Sequence, residues 1–204
     1  MIVITTKKQE ETSMPRVTQA QASENRAKII AAADRLLREK GYDGWSTAAA
    51  AKAAGLTEGA LFRNFPTKAA LGAAAMEAGF APILALLDTV ASPADLGRYI
   101  DAYLGTDHRD WFPWGCPVAA LGTEMHRHPE PMKAAFHAGF EAMLDRLAPV
   151  TEGRAGARVL VSTLAGALGM ARALRASGHR PEADAILADT AAALKAQFGV
   201  PSPP

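Results

Sequence analysis

Residues 55–71 read GLTEGALFRNFPTKAAL and hold several groups that could bind phosphate, among them two glycines, Thr57 and Lys68. Two kinds of site use such residues. The backbone amides of a glycine-rich loop can cradle the phosphates of a nucleotide. A short helix that follows a tight glycine turn can instead lie in a groove of DNA. The spacing and the neighbouring elements decide between these two possibilities.

A nucleotide-binding P-loop needs G-x-x-x-x-G-K-[ST] directly after a buried strand, because the strand holds the amides of the loop in place. In this chain Gly55 and Gly59 are four residues apart, and no lysine follows the second glycine. The preceding residues, 48–54, are predicted to be helical. Spacing and context therefore both exclude the P-loop.

A helix–turn–helix fits the stretch better. Ser46 and Thr57 are predicted N-caps of two short helices, and Gly55 lies at the corner between them, where a positive φ is needed. Leu61 and Phe65 fall on the side of the second helix that would pack inward. The spacing alone leaves two interpretations open, a DNA-reading unit or a plain helical hairpin in an all-α core.

Most of the remaining sequence predicts helices, since alanine dominates and hairpin signals are absent. The first helix is predicted to begin after the N-cap Ser23, and the fourth is predicted to end or kink at Pro82. Residues 106–117, TDHRDWFPWGCP, are predicted to form a loop, and a helix through residues 118–128 follows. Two long helices, at about 154–177 and 181–198, end the sequence.

Composition narrows the class of protein. The 204 residues are 49% apolar and 21% charged, and no apolar run approaches the ~20 residues of a membrane span. The lone cysteine, Cys116, excludes an internal disulfide and fits a reducing cytoplasm. Residues 1–68 carry four more basic than acidic side chains, whereas residues 69–204 carry three more acidic than basic ones. Contact with a polyanion is therefore expected at the N-terminal part.

The stretch ENRAKIIAAADRLLREKGYDGWS, the glycine-cornered hairpin and LFRNFPTKAAL together resemble the DNA-binding domain of the TetR family of bacterial transcription regulators. The family pattern is close to G-[VL]-[ST]-x-G-x-[LF]-[YF]-x-H-F-x-[ST]-K-x-x-L. The chain matches it at Gly55, Leu56, Thr57, Gly59, Leu61, Phe62, Phe65, Thr67, Lys68 and Leu71. The resemblance covers residues 22–71.

The resemblance implies an all-α fold of about nine helices. Residues 1–21 would be a flexible N-terminal arm, in which Met14-Pro15 looks like a natural start. Residues 22–68 would form a three-helix helix–turn–helix DNA-binding domain. Residues 69–200 would form a helical ligand-binding and dimerisation bundle, with a homodimer formed through the last two helices.

The same resemblance names candidate contacts with DNA. Phe62 stands where the family usually has tyrosine, Asn64 replaces a histidine, and Ala48 stands where many relatives have arginine. Glu58 would face the groove and repel phosphates unless it accepts from a cytosine amino group. The full set is Arg16, Ser46, Thr47, Thr57, Glu58, Gly59, Ala60, Phe62, Arg63, Asn64 and Lys68.

A ligand pocket is expected in the second domain, and its aromatic and methionine side chains would suit a small apolar or aromatic inducer. The candidates are Trp111, Phe112, Trp114, Cys116, Met125, Phe136, Phe140 and Met143. At helical spacing such residues also suit an ordinary core. Cys116 begins GCPVAALGTE, which resembles the sixth helix of a TetR subset, some of whose wider group sense electrophiles or oxidants. It is either such a sensor or a buried small side chain.

No metal or cofactor is expected. His126 and His128 are two residues apart and would point about 200° apart on a helix, so surface histidines are the simpler interpretation. No G-x-S-x-G, H-E-x-x-H or P-loop motif indicates an enzyme. The sequence therefore predicts a cytoplasmic, ligand-responsive regulator, a repressor by family default, that binds a palindromic operator as a dimer. It would be released by a small molecule or by modification of Cys116. A helical ligand-binding dimer without DNA activity, and an enzyme of unrecognised type, stay open as alternatives.

Overall fold

A computed structural model of the chain describes residues 18–111 and 115–201, and these residues form ten α-helices and no strand. The helices are α1 (Gln19–Lys40), α2 (Thr47–Ala53), α3 (Glu58–Asn64), α4 (Lys68–Leu87), α5 (Pro93–Tyr103), α6 (Thr106–Asp110), α7 (Pro117–Leu121), α8 (Glu130–Leu147), α9 (Gly153–Ala176) and α10 (Arg180–Gln197). Short 3₁₀ turns cover Met125–Arg127 and Ala148–Val150. The predicted all-α class is confirmed.

Helices α1, α2 and α3 form a small N-terminal unit around a shared apolar core. Ile29 and Leu37 of α1 are fully buried, as are Ala50 of α2 and Leu61 of α3. Alanines at the α1–α2 contact let the two helices approach closely, because their side chains fill little space between the axes. The three-helix arrangement that the resemblance implies is therefore present.

Helix α4 joins this unit to the larger bundle. It packs against α1 on one side and α8 on another, and α9 packs against α10. Both α4 and α9 are long and apolar enough, by length and composition, to cross a membrane, which was not expected from the sequence. Their interhelical packing accounts for this apolar character, since a helix that is apolar around most of its circumference must be covered by neighbours.

One predicted helix boundary is wrong, and of the two outcomes predicted at Pro82, an end or a kink, the end does not occur. Helix α1 is capped by Thr18, whose Oγ1 accepts from the N–H of Gln21 at 3.2 Å, and not by Ser23. The intervening residues are good helix formers, so nothing ends the helix there. Helix α4 runs through Pro82 to Leu87.

The segment that was predicted as a loop contains α6. Its carbonyl groups have a partner that local sequence does not reveal, since Arg172 of α9 donates to the carbonyls of His108 and Arg109 at 2.8 and 3.2 Å. The helix predicted for residues 118–128 is also shorter than expected. It ends at Leu121, where Gly122 and Thr123 follow with low helix propensity.

Candidate nucleic-acid interface and effector region

Three helix starts in the N-terminal unit carry capping hydroxyls. Ser46 Oγ accepts from Ala49 N–H at 3.1 Å, and Thr57 Oγ1 accepts from Ala60 N–H at 3.2 Å. Thr67 caps α4 in the same way, at 3.0 Å from the N–H of Ala70. In each case the hydroxyl oxygen accepts, so its hydrogen is free to be donated outward. The predicted caps at Ser46 and Thr57 are confirmed.

The corner between α2 and α3 requires glycine. Gly55 has a φ of +69°, in the left-handed region that side chains other than glycine rarely adopt. Leu61 and Phe65 are buried below the corner, and the guanidinium of Arg26 lies 4.3 Å from the centre of the Phe65 ring. These contacts fix α3 on the unit and leave its opposite face outside.

The outer face of α3 is exposed and varied in chemistry. Glu58, Gly59 and Arg63 are exposed, and Phe62 is 46% exposed, a large value for an aromatic side chain. Arg63 has no hydrogen-bond or ion-pair partner within the described part of the chain. Such a face offers a cation, an apolar ring and a small residue to a partner, which suits the mixed surface of a DNA groove.

Thr47 links the two helices of the hairpin. Its Oγ1 donates to Glu58 Oε1 at 3.0 Å, so the first residue of α2 holds the first residue of α3. Asn64 donates from Nδ2 to the carbonyl of Ala60 at 2.9 Å, which leaves one amide hydrogen and the amide oxygen for another partner. The predicted candidates therefore lie together around the start and outer face of α3, while two of them also make contacts inside the unit.

Lys68 has an internal role that was not predicted. Its Nζ donates to the carbonyl of Tyr42 at 2.6 Å and lies 4.3 and 4.9 Å from the ring centres of Tyr42 and Trp45. Burial lowers the pKa of Lys68 below its ordinary value. An ammonium group has three donors, so a phosphate contact stays compatible with this arrangement. Loss of Lys68 would nevertheless also disturb the packing of residues 42–45.

The residues that were predicted to line a pocket are distributed over different environments. Met125 and Met143 are buried, and Phe136 and Phe140 are half-buried and stacked 6.4 Å apart. Trp111 is 62% exposed. Phe112 and Trp114, like Arg16, lie outside the described residues. Met125 and Met143 belong to the hydrophobic core, and Phe136 and Phe140 pack against it, so the role of the set in ligand binding stays a prediction.

Cys116 lies at the start of α7 and is buried. Burial raises the pKa of its thiol above the ordinary value, although hydrogen bonds from Tyr103 and from the backbone N–H groups of Val118 and Ala119 act in the opposite direction. A thiol with a raised pKa has little thiolate, the reactive form. The buried interpretation therefore has more support than the sensor.

His108 lies beside Cys116 and has a defined tautomer. The N–H of Cys116 donates to His108 Nε2 at 3.2 Å, so Nε2 carries no hydrogen. The hydrogen is on Nδ1, which donates to the carbonyl of Tyr103 at 2.6 Å. Burial lowers the pKa of His108, and the charge of Arg172 adds to this effect. The ring is thus a neutral bridge between α5 and α7.

Two contacts connect the residues on either side of α7 to the N-terminal unit. Arg38, nearly fully buried near the end of α1, donates to the carbonyl of Gly115 at 2.8 Å and pairs with Asp34. Tyr42 donates its N–H to Glu124 Oε1 at 3.4 Å. Sequence reasoning missed these residues, because the partners are about 80 positions apart and no local pattern marks them.

His128 is buried, which corrects the expectation of a surface histidine. Its Nε2 lies 3.2 Å from Glu124 Oε1, and its ring packs on Tyr42 with 5.0 Å between the ring centres. His126 is exposed, as expected. Within residues 18–111 and 115–201 no group of three or more histidine, cysteine or acidic side chains could hold a metal ion.

A surface groove of about 910 Å³ lies between the end of α1, α7 and one face of α9. None of the predicted pocket residues that the structure describes lines it. Its α9 wall belongs to an exposed stripe that recurs every three to four residues along the helix and includes Val159, Ser162, Gly166, Met170 and Ala173. The apolar members, with Val159 47% and Met170 63% exposed, form a surface that is unusual for a helix facing solvent only.

The fold and the site together define a class of protein, a helix–turn–helix domain joined to a helical bundle. Residues 29–75 match the family described as "Bacterial regulatory proteins, tetR family". Over 66 residues the chain is 48% identical to the HTH-type transcriptional regulator CymR of Pseudomonas putida, and this match covers 32% of each chain. The match therefore spans about a third of that relative's length.

Solved structures extend the likeness beyond the first domain. The regulatory protein TetR from Rhodobacter sphaeroides is 26% identical with a TM-score of 0.69, and 84% of this chain and 97% of that chain are covered. The reduced form of E. coli NemR has a TM-score of 0.74 at 20% identity, covering 88% and 100%. Residues 29–75 therefore carry the sequence of the tetR-family regulatory domain, and the described fold beyond them is similar to that of solved TetR-type regulators.

Proposed function

We propose that this protein is a ligand-responsive transcriptional repressor that binds a palindromic DNA operator as a homodimer and releases it when a small molecule binds. The observation that carries the proposal is the capped, glycine-cornered hairpin, which leaves the outer face of α3 exposed at the residues of the family motif. A cytoplasmic location follows from a DNA partner.

On the DNA, α3 would enter the major groove and the three capped helix starts would face the phosphates. Helix N-termini bind anions because their free N–H groups and the helix dipole both favour negative charge. The hydroxyls of Ser46 and Thr57 would donate to phosphate oxygens, and Arg63 would supply the full positive charge. Phe62 would contact a thymine methyl group or a sugar, since it has no hydroxyl to offer.

Glu58 would be the residue that discriminates between bases. A carboxylate in the major groove accepts well from the amino group of cytosine and is repelled by phosphates. The hydrogen bond from Thr47 supports this role, since it orients the carboxylate before DNA arrives. We therefore expect the operator to have a cytosine at the position that the start of α3 contacts.

A dimer is needed for a palindromic operator, because two α3 helices must reach major grooves that are ~34–36 Å apart. The exposed stripe on α9 supports a dimer through the last two helices. Its centre is Gly166, and the small and apolar residues around it would let the helix pack closely on its symmetry mate.

Release requires that the second domain changes the position of the first. The contact from Arg38 to the carbonyl of Gly115 supports a direct route, because it joins α1 to the residue that precedes Cys116. Movement of residues 115–117 would then turn α1 and alter the separation of the two α3 helices. Coupling of ~1–3 kcal/mol is typical of such regulators. The buried, raised-pKa thiol favours a non-covalent ligand over modification of Cys116.

The proposal is tested by selecting duplexes from a random library with the purified protein and titrating the selected duplex by fluorescence anisotropy across salt concentrations. Arg63→Ala is the first variant, since this side chain has no internal partner among the described residues and its loss should not affect folding. Removing one phosphate contact should lower the slope of log K against log salt by roughly 0.9.

Arg127→Ala is the matched control, because it removes the same charge from an exposed position on the 3₁₀ turn Met125–Arg127, which belongs neither to the hairpin nor to the last two helices. We expect nanomolar binding of a palindrome that Arg63→Ala weakens and Arg127→Ala leaves unchanged. Failure to enrich any duplex, or equal effects of the two variants, would contradict DNA reading by α3. The helical ligand-binding dimer would then be the better interpretation.

A further inference from the structure

A buried polar cluster lies between α5, α6 and α7 that no part of the proposed DNA interface uses. Tyr99 and Tyr103 stand one turn apart on α5, with ring centres 5.8 Å apart and edge-on to each other. The Tyr103 ring also meets the His108 ring at 4.6 Å. Cys116 completes the cluster, and it and both tyrosines are at most 6% exposed.

Two hydroxyls of this cluster are left without an oxygen or nitrogen partner. Neither Tyr99 OH nor Tyr103 OH makes such a hydrogen bond among the described residues, and Tyr103 has only the weakly hydrogen-bonding thiol of Cys116. Buried tyrosine hydroxyls usually find a partner, because a donor without one loses the hydrogen bond that water gave it. Burial also raises the pKa of both phenols, so they are neutral donors.

The other polar groups of the cluster are engaged with the backbone and do not serve these hydroxyls. His108 bridges the Tyr103 carbonyl and the Cys116 N–H, and Arg172 donates to the carbonyls of His108 and Arg109. What the cluster lacks is an oxygen or nitrogen acceptor for these two hydroxyls. Tyr99 also lines a surface groove of about 350 Å³ between the end of α4 and α5, so one of the two tyrosines borders a concavity that is open to solvent.

We infer that the Tyr99–Tyr103–Cys116 cluster is an effector site for a small, largely apolar molecule that carries a carbonyl-type oxygen, which accepts from both tyrosine hydroxyls. This inference rests on the proposed function, since it names the class of ligand that a ligand-responsive regulator would take. The apolar part of the ligand meets the tyrosine rings, and its oxygen meets the two donors.

The position of the cluster gives such a ligand a mechanical effect. Cys116 directly follows Gly115, whose carbonyl accepts from Arg38 of α1, and His108 directly precedes Arg109, which is tied to Asp184 of α10. A molecule inserted beside Tyr103 therefore lies next to segments that reach both the DNA-binding unit and the helix expected in the dimer interface. No other cluster among the described residues combines two buried hydroxyls that lack an oxygen or nitrogen partner with contacts to both ends.

The test uses the three tyrosines of the chain as reporters. The full-length protein is labelled with ¹³C at the tyrosine ζ carbon, whose chemical shift responds to hydrogen bonding of the hydroxyl. The three signals are assigned with Tyr42→Phe, Tyr99→Phe and Tyr103→Phe. Acetophenone is then compared with ethylbenzene, and cyclohexanone with cyclohexane, because each pair differs mainly in one acceptor oxygen.

We expect the ketones to shift the signals of Tyr99 and Tyr103 but not that of Tyr42, and to bind roughly tenfold more tightly than the hydrocarbons. Tyr99→Phe should remove most of this preference, whereas Tyr42→Phe should leave it unchanged. The inference is overturned if neither ketone moves the two signals, or if ketone and hydrocarbon act alike.

The operator titration is run on the same samples, so that the two proposals can fail separately. If the selected duplex binds and the ketones move neither signal, the effector site is wrong and the regulator stands. If the signals of Tyr99 and Tyr103 respond but no duplex is selected, the ligand site stands in a helical dimer that does not read DNA.

Discussion

Gly59 lies on the outer face of α3, and its replacement by alanine should separate folding from DNA binding. A β-carbon at Gly59 would have Thr57 Oγ1 as its nearest described neighbour, at 4.0 Å, which is an ordinary van der Waals distance. The added methyl group therefore clashes with nothing inside the unit. Alanine is favoured over glycine within a helix by about 0.8–1.0 kcal/mol, and less near a helix end. The free energy of unfolding should stay the same or rise by up to about 1 kcal/mol.

The same methyl group points to the side where the proposal puts the DNA. If α3 approaches the groove closely at this position, the extra carbon acts as an overpacked contact, which typically costs about 1–3 kcal/mol. This corresponds to a loss of operator affinity of roughly 5- to 150-fold. Urea unfolding followed by circular dichroism measures the first effect, and anisotropy titration of the selected duplex measures the second.

Gly55→Ala is the control with the opposite pattern. Gly55 has a φ of +69°, and no neighbour lies within 4 Å of its added β-carbon among the described residues, so the cost is conformational. It should lower the free energy of unfolding by about 1–2 kcal/mol. The reasoning about α3 is refuted if Gly59→Ala keeps wild-type affinity within twofold, or if it destabilises the protein as much as Gly55→Ala does.

Three further predictions concern the core, the dimer and the dependence on pH. Gly139→Ala should lower the free energy of unfolding by about 1–3 kcal/mol in a urea titration, because its β-carbon would overlap the ring of Phe80 between α8 and α4; an unchanged midpoint would contradict this packing. Gly166→Arg should convert the dimer to a monomer in sedimentation velocity, since it charges the middle of the α9 stripe, whereas Ala134→Arg on exposed α8 should not. Because the pKa of His108 is lowered in the folded protein, the unfolded chain binds the proton more readily. The neutral His108 therefore stabilises the fold at pH values above the unfolded pKa of about 6.5, and this stabilisation is lost as the pH falls below that value. In His108→Gln the amide can still donate and accept, so the melting temperature should change less between pH 7.5 and 5.5 than in the wild type. An equal change of melting temperature with pH in the two proteins would rule this out.

The helix–turn–helix could be predicted because its signals are local. An N-cap is read from one residue type and the helix that follows it, and Ser46 and Thr57 both cap as expected. The glycine corner is equally local, since a positive φ at one position needs no distant partner. The start of α1 was missed for the converse reason. Thr18 and Ser23 are both good caps, and only the continued helix between them distinguishes the two.

The effector region could not be predicted in the same way. Helix α6 forms in a segment of unfavourable composition because Arg172, more than 60 residues away, donates to its carbonyls. His128 is buried because the Tyr42 ring packs against it, and Tyr42 is too distant in the sequence for a local pattern to reveal this contact. The Tyr99–Tyr103 pair shows a helical spacing in the sequence, yet only the structure reveals that both hydroxyls lack an oxygen or nitrogen partner.

One small residue explains how the two regions come into contact. Gly79 of α4 lies where α1 and α7 both approach, and a β-carbon there would come within 2.8 Å of an Asp34 carboxylate oxygen and 3.3 Å of the Pro117 ring. Any larger side chain would separate the Asp34–Arg38 pair from the start of α7. The Arg38 contact with the Gly115 carbonyl depends on that close approach. The contact between the segment around Cys116 and the DNA-binding unit therefore requires a glycine at position 79 of α4. No charge or motif in the sequence indicates this requirement.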